Sequence, residues 1–183
     1  MKTKTINLYT IKELSKEAQE KAHRNYTKDN DYPFLGEAMK EHLIDLLAEN
    51  GIQELDKEKT RVFYSLGYSQ GDGAMFEGVF EYGSALEKVG GQWKRYQVIV
   101  KQSGHYYHYN SKTLEITSGD DIANEADEAV YKEFDEDFYK PICKKLEKYG
   151  YDWIEEEDSI EHFVDECEQN GWTFREDGTM ENE

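Results

Sequence analysis

The chain has 183 residues and a formal net charge of −18, from 22 Lys and Arg against 40 Asp and Glu. That length carries one core and leaves little room for a second independent domain, and charge of that sign repels nucleic acid while attracting basic protein surfaces. Hydrophobic residues make up only 37% of the chain, yet 14 Tyr, 8 Phe and 3 Trp supply buriable area that a disordered chain lacks, so the composition predicts a folded protein.

In chain order, residues 4–9 alternate as a first strand, and Ser15 reads as the N-cap of a helix running to about Tyr26. Ala18 stands where an acid would complete a capping box. Leu35, Ala38, Met39, His42, Leu43, Leu46 and Leu47 recur at three and four, which predicts a second helix with Gly51 as its left-handed stop. The period then changes. Residues 61–68, 75–82, 93–102, 105–109 and 113–117 are β-branched or aromatic runs separated by Gly, Ser, Asn and Asp, the pattern of antiparallel strands. From Asp121 a helical stripe resumes through Val130, Phe134, Phe138, Ile142, Leu146 and Tyr149, with Pro141 as a kink and Gly150 as a stop. A last helix carries Ile160, Phe163, Val164 and Cys167 before Gly171, and residues 172–174 read as a closing strand.

These elements predict an α+β fold, an antiparallel β meander of about five strands packed with N-terminal helices and two acidic C-terminal helices. One domain is expected over 1–183: a strand and two helices in 1–60, the meander in 61–118 and the acidic helical part in 119–183. No N-terminal signal pattern and no apolar run of spanning length is present in the sequence, so a soluble protein that stays inside the cell is expected. Cys143 and Cys167 belong to no CxxC or Cys/His ligand spacing, which predicts reduced thiols in a cytosol.

The charge is unevenly spread. Residues 1–112 hold 16 basic and 16 acidic side chains, and residues 113–183 hold 6 and 24. In the final helix Asp158, Glu161, Asp165 and Glu168 step by three, four and three, which places them on one stripe opposite the apolar one. Glu155, Glu156 and Glu157 precede them, and no basic residue lies between Tyr149 and Arg175. The preceding helix has a similar edge in Asp121, Glu125, Glu128 and Glu136, interrupted by Lys132. Such a stripe is either a solvated helix face or a rigid acidic wall able to occupy a cationic nucleic-acid channel.

Residues 65–78 (SLGYSQGDGAMFEG) form the other informative segment. Gly71 and Gly73 permit positive φ and Ser69 and Asp72 can bond backbone amides, as in a locked hairpin turn; alternatively Gln70 and Asp72 grip a polar ligand from a rigid loop. Tyr64, Tyr68, Trp93, Tyr96, Tyr106 and Tyr107 could stack a base in a nucleotide-signal sponge, although Lys94, Arg95 and Lys101 are the only local cations for a phosphate. For catalysis or metal binding the sequence offers no constellation. His105 and His108 alternate to opposite faces of the expected strand, His42 and His162 stand alone, and neither cysteine has a base partner. No cofactor motif is present.

The opening residues TINLYTIKELSKEAQEKAHRNY, with VFYSLGYSQGDGAMFEG, resemble a family of small phage, prophage and gut-bacterial proteins that combine a strand, an ELSxEAxxKA helix and an SQGDGA hairpin. Within it the chain is most similar to a type II-A anti-CRISPR protein, over residues 3–80, with Met75 standing where the pattern has a small residue. The resemblance implies a non-enzymatic inhibitor in the cytoplasm of a bacterial host, phage- or prophage-encoded. Its partner would be the guide-RNA-loaded CRISPR effector nuclease, whose cationic channel holds guide and target. The acidic helices would then block that channel by mimicking nucleic acid, without direct DNA binding and without a membrane.

Overall fold

The computed structural model describes residues 6–28, 30–89, 92–118 and 128–181, with the side chains of 87–89, 92 and 93 outside that description. The chain divides into two compact units: Met1–Pro33 with Asp152–Glu183, and Phe34–Tyr151.

The first unit joins the two ends of the chain. A short 3-10 turn (Ile11–Glu13) leads into α1 (Lys16–Thr27), whose N-cap Ser15 accepts from the Ala18 amide at 3.3 Å. From the C-terminal segment come α5 (Ile160–Asn170), capped by Ser159 on the His162 amide at 3.1 Å, and a two-stranded hairpin of β6 (Thr173–Phe174) and β7 (Met180–Glu181). Gly171 ends α5 in the left-handed region at φ 65°, as its position after the apolar stripe predicts. Ile11, Leu14, Ala18, Ala22, Phe163, Cys167 and Phe174 form one buried cluster. Among the described residues 6–9 the expected first strand is not formed. Tyr9 alone bridges Phe174, with both amide bonds at 2.9 Å, while residues 6–8 are unpaired and residues 4 and 5 lie outside the described ones. β6 is two residues long, so a longer ladder beside Tyr9 has nothing to pair with.

In the second unit α2 (Leu35–Glu49) buries Leu35, Met39, Leu43, Leu46 and Leu47, and Gly51 follows at φ 67°. β1 (Gln53–Glu54), β2 (Arg61–Ser65), β3 (Gly73–Val89), β4 (Gln92–Gln102) and β5 (Lys112–Ser118) make one antiparallel sheet in which β1 and β2 both pair with β3, β3 with β4, and β4 with β5. Phe76, Phe80, Tyr82, Tyr96, Val98 and Ile116 point into the core, and Glu77, Glu81, Arg95 and Lys101 alternate outward. The count of strands is as expected but one assignment moves. Residues 105–109 are not a strand, and the fifth strand is β1. The register Gln102↔Lys112 leaves 103–111 as the connection between β4 and β5, closed by Ser103 N–H donating to Ser111 O at 2.9 Å. The β propensity of HYYHY is overridden because the chain must reverse there.

α3 (Glu128–Glu133), a π-helical segment (Phe134–Tyr139) and α4 (Lys140–Glu157) follow without interruption. The widened turns immediately precede Pro141, which has no N–H to return to the preceding turn. They let the Tyr139 hydroxyl donate to Phe76 O at 3.0 Å and bring buried Glu133 against β3, where it accepts from Ser84 Oγ at 2.6 Å and the Ala85 amide at 2.9 Å. Gly150 is not a stop: α4 continues seven residues past it. A Cβ at Gly150 would stand 2.5 Å from Leu66 Cδ1 and 3.3 Å from Met39 Sδ, so this glycine serves close packing of the helix within the unit.

Gly178 is the more demanding position. It is buried at φ 81°, and a Cβ there would lie 2.2 Å from the carbonyl oxygen of Ala18. Gly171→Ala pays only for the left-handed backbone, about 1–2 kcal/mol. Gly178→Ala adds a backbone clash, and the expected loss is larger by about 1–3 kcal/mol in urea denaturation; equal midpoints for the two variants would contradict this packing.

Candidate functional site

The acidic C-terminal segment is folded against a weakly basic partner in the same unit. Residues 1–33 carry 7 basic and 5 acidic side chains, and residues 152–183 carry 1 and 13. Part of the surplus is consumed there. Lys12 pairs with Glu168, and Lys21 donates to Asp177 at 2.8 Å, a bond that holds the Asp177 carboxyl far below the usual carboxylate range.

The residues of the expected stripe separate accordingly. Asp158 is not on α5: it precedes the N-cap, is half-buried, and accepts from Asn30 Nδ2 at 3.0 Å and from the Tyr32 hydroxyl at 2.7 Å. The Asp158 carbonyl also sits 2.8 Å from His23 Nε2. This carboxylate fastens the chain ahead of α2 to the turn between α4 and α5, a role that no spacing rule reveals because its partners lie more than 120 residues away. Glu157 is half-buried 3.4 Å from His162. Glu161, Asp165 and Glu168 do share the exposed face of α5, opposite Phe163 and Cys167, and Glu168 is the member engaged by Lys12.

Four carboxylates are left. Glu155 and Glu156 on the last turn of α4, and Glu161 and Asp165 on α5, are exposed and have no hydrogen bond or ion pair among the described residues. Two physical terms oppose the first pair, since α4 has no basic residue in its last turn and carboxylates there face the negative end of the helix dipole. Glu161 and Asp165, four apart, repel by about 0.2–0.5 kcal/mol. Glu128 is exposed at the start of α3 in the other unit, and Asp121 and Glu125 lie outside the described residues.

The SQGDGA segment is a locked turn. Both oxygens of Asp72 are engaged inside the loop or beside it: Oδ1 by Ser65 Oγ at 2.8 Å and Ser69 Oγ at 3.1 Å, Oδ2 by the Ser69 amide at 2.7 Å and the Tyr151 hydroxyl at 3.4 Å. The Ser69 amide, chiefly, holds its carboxyl below the usual range. Gln70 is exposed with no partner among the described residues. Of the tyrosines that could stack a base, Tyr96 is buried in the sheet and Tyr64 half-buried, Tyr68, Tyr106 and Tyr107 are exposed, and the side chain of Trp93 lies outside the described ones.

His105 and His108, expected on opposite faces of a strand, belong instead to the β4–β5 connection, where His108 Nδ1 accepts from the Asn110 amide at 3.3 Å. His42 stacks on Tyr149 with ring centroids 4.2 Å apart. Both cysteines are free and buried, and burial pushes the Cys143 thiol up to about 12 and that of Cys167 up to about 11, so neither is a thiolate near neutral pH. Among the described residues no three His, Cys, Asp or Glu side chains are grouped to hold a metal ion, and no helix is long and apolar enough to cross a membrane. Comparison with protein-family models, with curated proteins and with solved structures found no match.

The separation within the stripe has a thermodynamic consequence. Asp158→Ala removes the hydrogen bonds from Asn30 and Tyr32 and should cost about 1–3 kcal/mol in urea denaturation. Glu161→Gln with Asp165→Asn should change stability by no more than about 0.5 kcal/mol. The opposite ranking would mean that Asp158 is an ordinary surface charge.

Proposed function

We propose that the protein is a binding protein whose acidic carboxylates on α4 and α5 engage a cationic surface of a protein partner, in the manner of an inhibitor that takes the place of nucleic acid. The observation that carries this reading is the set Glu155, Glu156, Glu161 and Asp165: exposed and without a counter-charge among the described residues, in a unit whose Lys12 and Lys21 pair with other acids. A fold under no other demand gains by distributing such charges or pairing them. Positions that keep them clustered are positioned for a partner that supplies the cations.

The partner to test first is the guide-RNA-loaded type II nuclease that the resemblance implies, because its channel is built to hold a polyanion in a lining of Lys and Arg. Binding there blocks target DNA binding or cleavage with no chemistry performed by the inhibitor itself. A nucleotide-signal sponge is the competing class, and it is less well served, since Asp72 has no oxygen left for a base edge.

The test combines co-elution on a size column with target cleavage. The chain should co-elute with the guide-loaded nuclease, suppress cleavage, and associate more slowly as ionic strength rises. Replacing Glu155, Glu156, Glu161 and Asp165 with Lys should lower the association rate on the order of tenfold or more and release cleavage. Inhibition that is insensitive both to salt and to the four reversals rejects this surface.

A further inference from the structure

Two connections at one end of the sheet present exposed aromatic rings. The β2–β3 turn is closed by Ser65↔Gly73 and the β4–β5 connection by Gln102↔Lys112, and since β3 and β4 are neighbours the two lie side by side. Tyr68 in the first is 76% exposed and Tyr106 in the second 63% exposed. Neither ring hangs loosely. Gly71, at φ 98°, lies under the Tyr106 ring so closely that a Cβ would stand 3.0 Å from Cδ1. Tyr68 rests one face on Tyr151, with centroids 4.6 Å apart, and the turn beneath it is locked by Asp72.

Tyr68 is also the one non-glycine among the described residues with positive φ, at 55°. A bulky residue is disfavoured in that conformation, and here it is one whose ring is exposed. Rigid, exposed tyrosines on a locked loop are characteristic of recognition surfaces, because they offer large contact area at low entropic cost.

The local charge says what would cover them. Residues 62–87 and 102–111 contain no Lys or Arg, and the charge fixed inside the turn is the ionised Asp72. Electron-rich ring faces beside a carboxylate complement a guanidinium, which is planar and weakly hydrated and stacks on an aromatic face more readily than an ammonium does. The same unit already seats cations on tyrosines within itself, Lys112 at 4.4 Å from the Tyr139 centroid and Lys144 at 5.7 Å from that of Tyr109.

We propose that Tyr68 and Tyr106 form an arginine-docking surface for a basic protein partner, carried by a different unit from the acidic stripe. For the partner's identity this rests on the reading above; for its chemistry it stands alone. The full-length chain is titrated by fluorescence anisotropy with labelled deca-arginine and deca-lysine peptides of equal charge at fixed ionic strength. Wild type should prefer the arginine peptide by about two- to fivefold. Tyr68→Ala with Tyr106→Ala should erase that preference while leaving the salt dependence unchanged, and Tyr68→Phe with Tyr106→Phe should retain it. Absence of the preference in wild type, or its survival in the alanine variant, overturns the proposal. Tyr68→Gly, which relieves the backbone, replaces Tyr68→Ala if that variant unfolds. A parallel titration against guide-loaded nuclease separates the two readings: an arginine preference lost in the alanine variant, together with no nuclease binding by any form, sinks the nuclease as partner and supports this surface.

Discussion

Phe163 is the point on which the acidic end of this chain depends. It is fully buried, and its ring meets Tyr26 at 5.0 Å, His23 at 5.5 Å and Phe174 at 6.3 Å, within a cluster that includes Ile11, Leu14, Ala18 and Ala22. Burying a ring of that size is worth about 1.5–3 kcal/mol, a large share of what a small unit can gain from any one side chain. With 100° between successive residues, fixing Phe163 and Cys167 inward leaves Glu161, Asp165 and Glu168 no choice but the outer face. The acidic display is therefore set by an apolar contact, and the N-terminal segment that supplies the contact also supplies Lys12 and Lys21 to the acids within its reach.

That coupling marks the limit of what local patterns predict. The cap of α1, the ends at Gly51 and Gly171 and the antiparallel order of the central strands are legible because each is decided within a few residues by spacing and by residue type. Gly150 looks like a helix stop for the same reason, but the space needed by Leu66 and Met39, from distant parts of the chain, decides its role. Residues 105–109 carry strong β propensity, and the pairing of Gln102 with Lys112 makes them a connection regardless. Asp158 continues the three-four stepping of Glu161 and Asp165, yet the helix begins two residues after it, and Asn30 and Tyr32 turn its carboxylate to structural use. In each case the competing partner is remote in sequence, and composition is silent about it.

The two candidate surfaces differ in what they contribute to recognition. Unpaired carboxylates act over a Debye length of about 8–10 Å at ordinary salt, which raises encounter rates but discriminates little among basic partners. Aromatic rings act only on contact, and their geometry distinguishes a guanidinium from an ammonium. On the two proposals above, an acidic unit and a tyrosine-bearing unit in one chain would separate attraction from selection.

The heavily bonded turn around Asp72 would suit such a division. A ring that selects by geometry loses its value if the loop beneath it samples many conformations, because the ordering entropy is then lost on binding instead of on folding. Four donors on one exposed-edge carboxylate, a glycine under Tyr106 and a second tyrosine behind Tyr68 remove that freedom in advance. Long-range attraction by Glu155, Glu156, Glu161 and Asp165 is less exacting, since its energy changes little when a flexible side chain moves by an ångström.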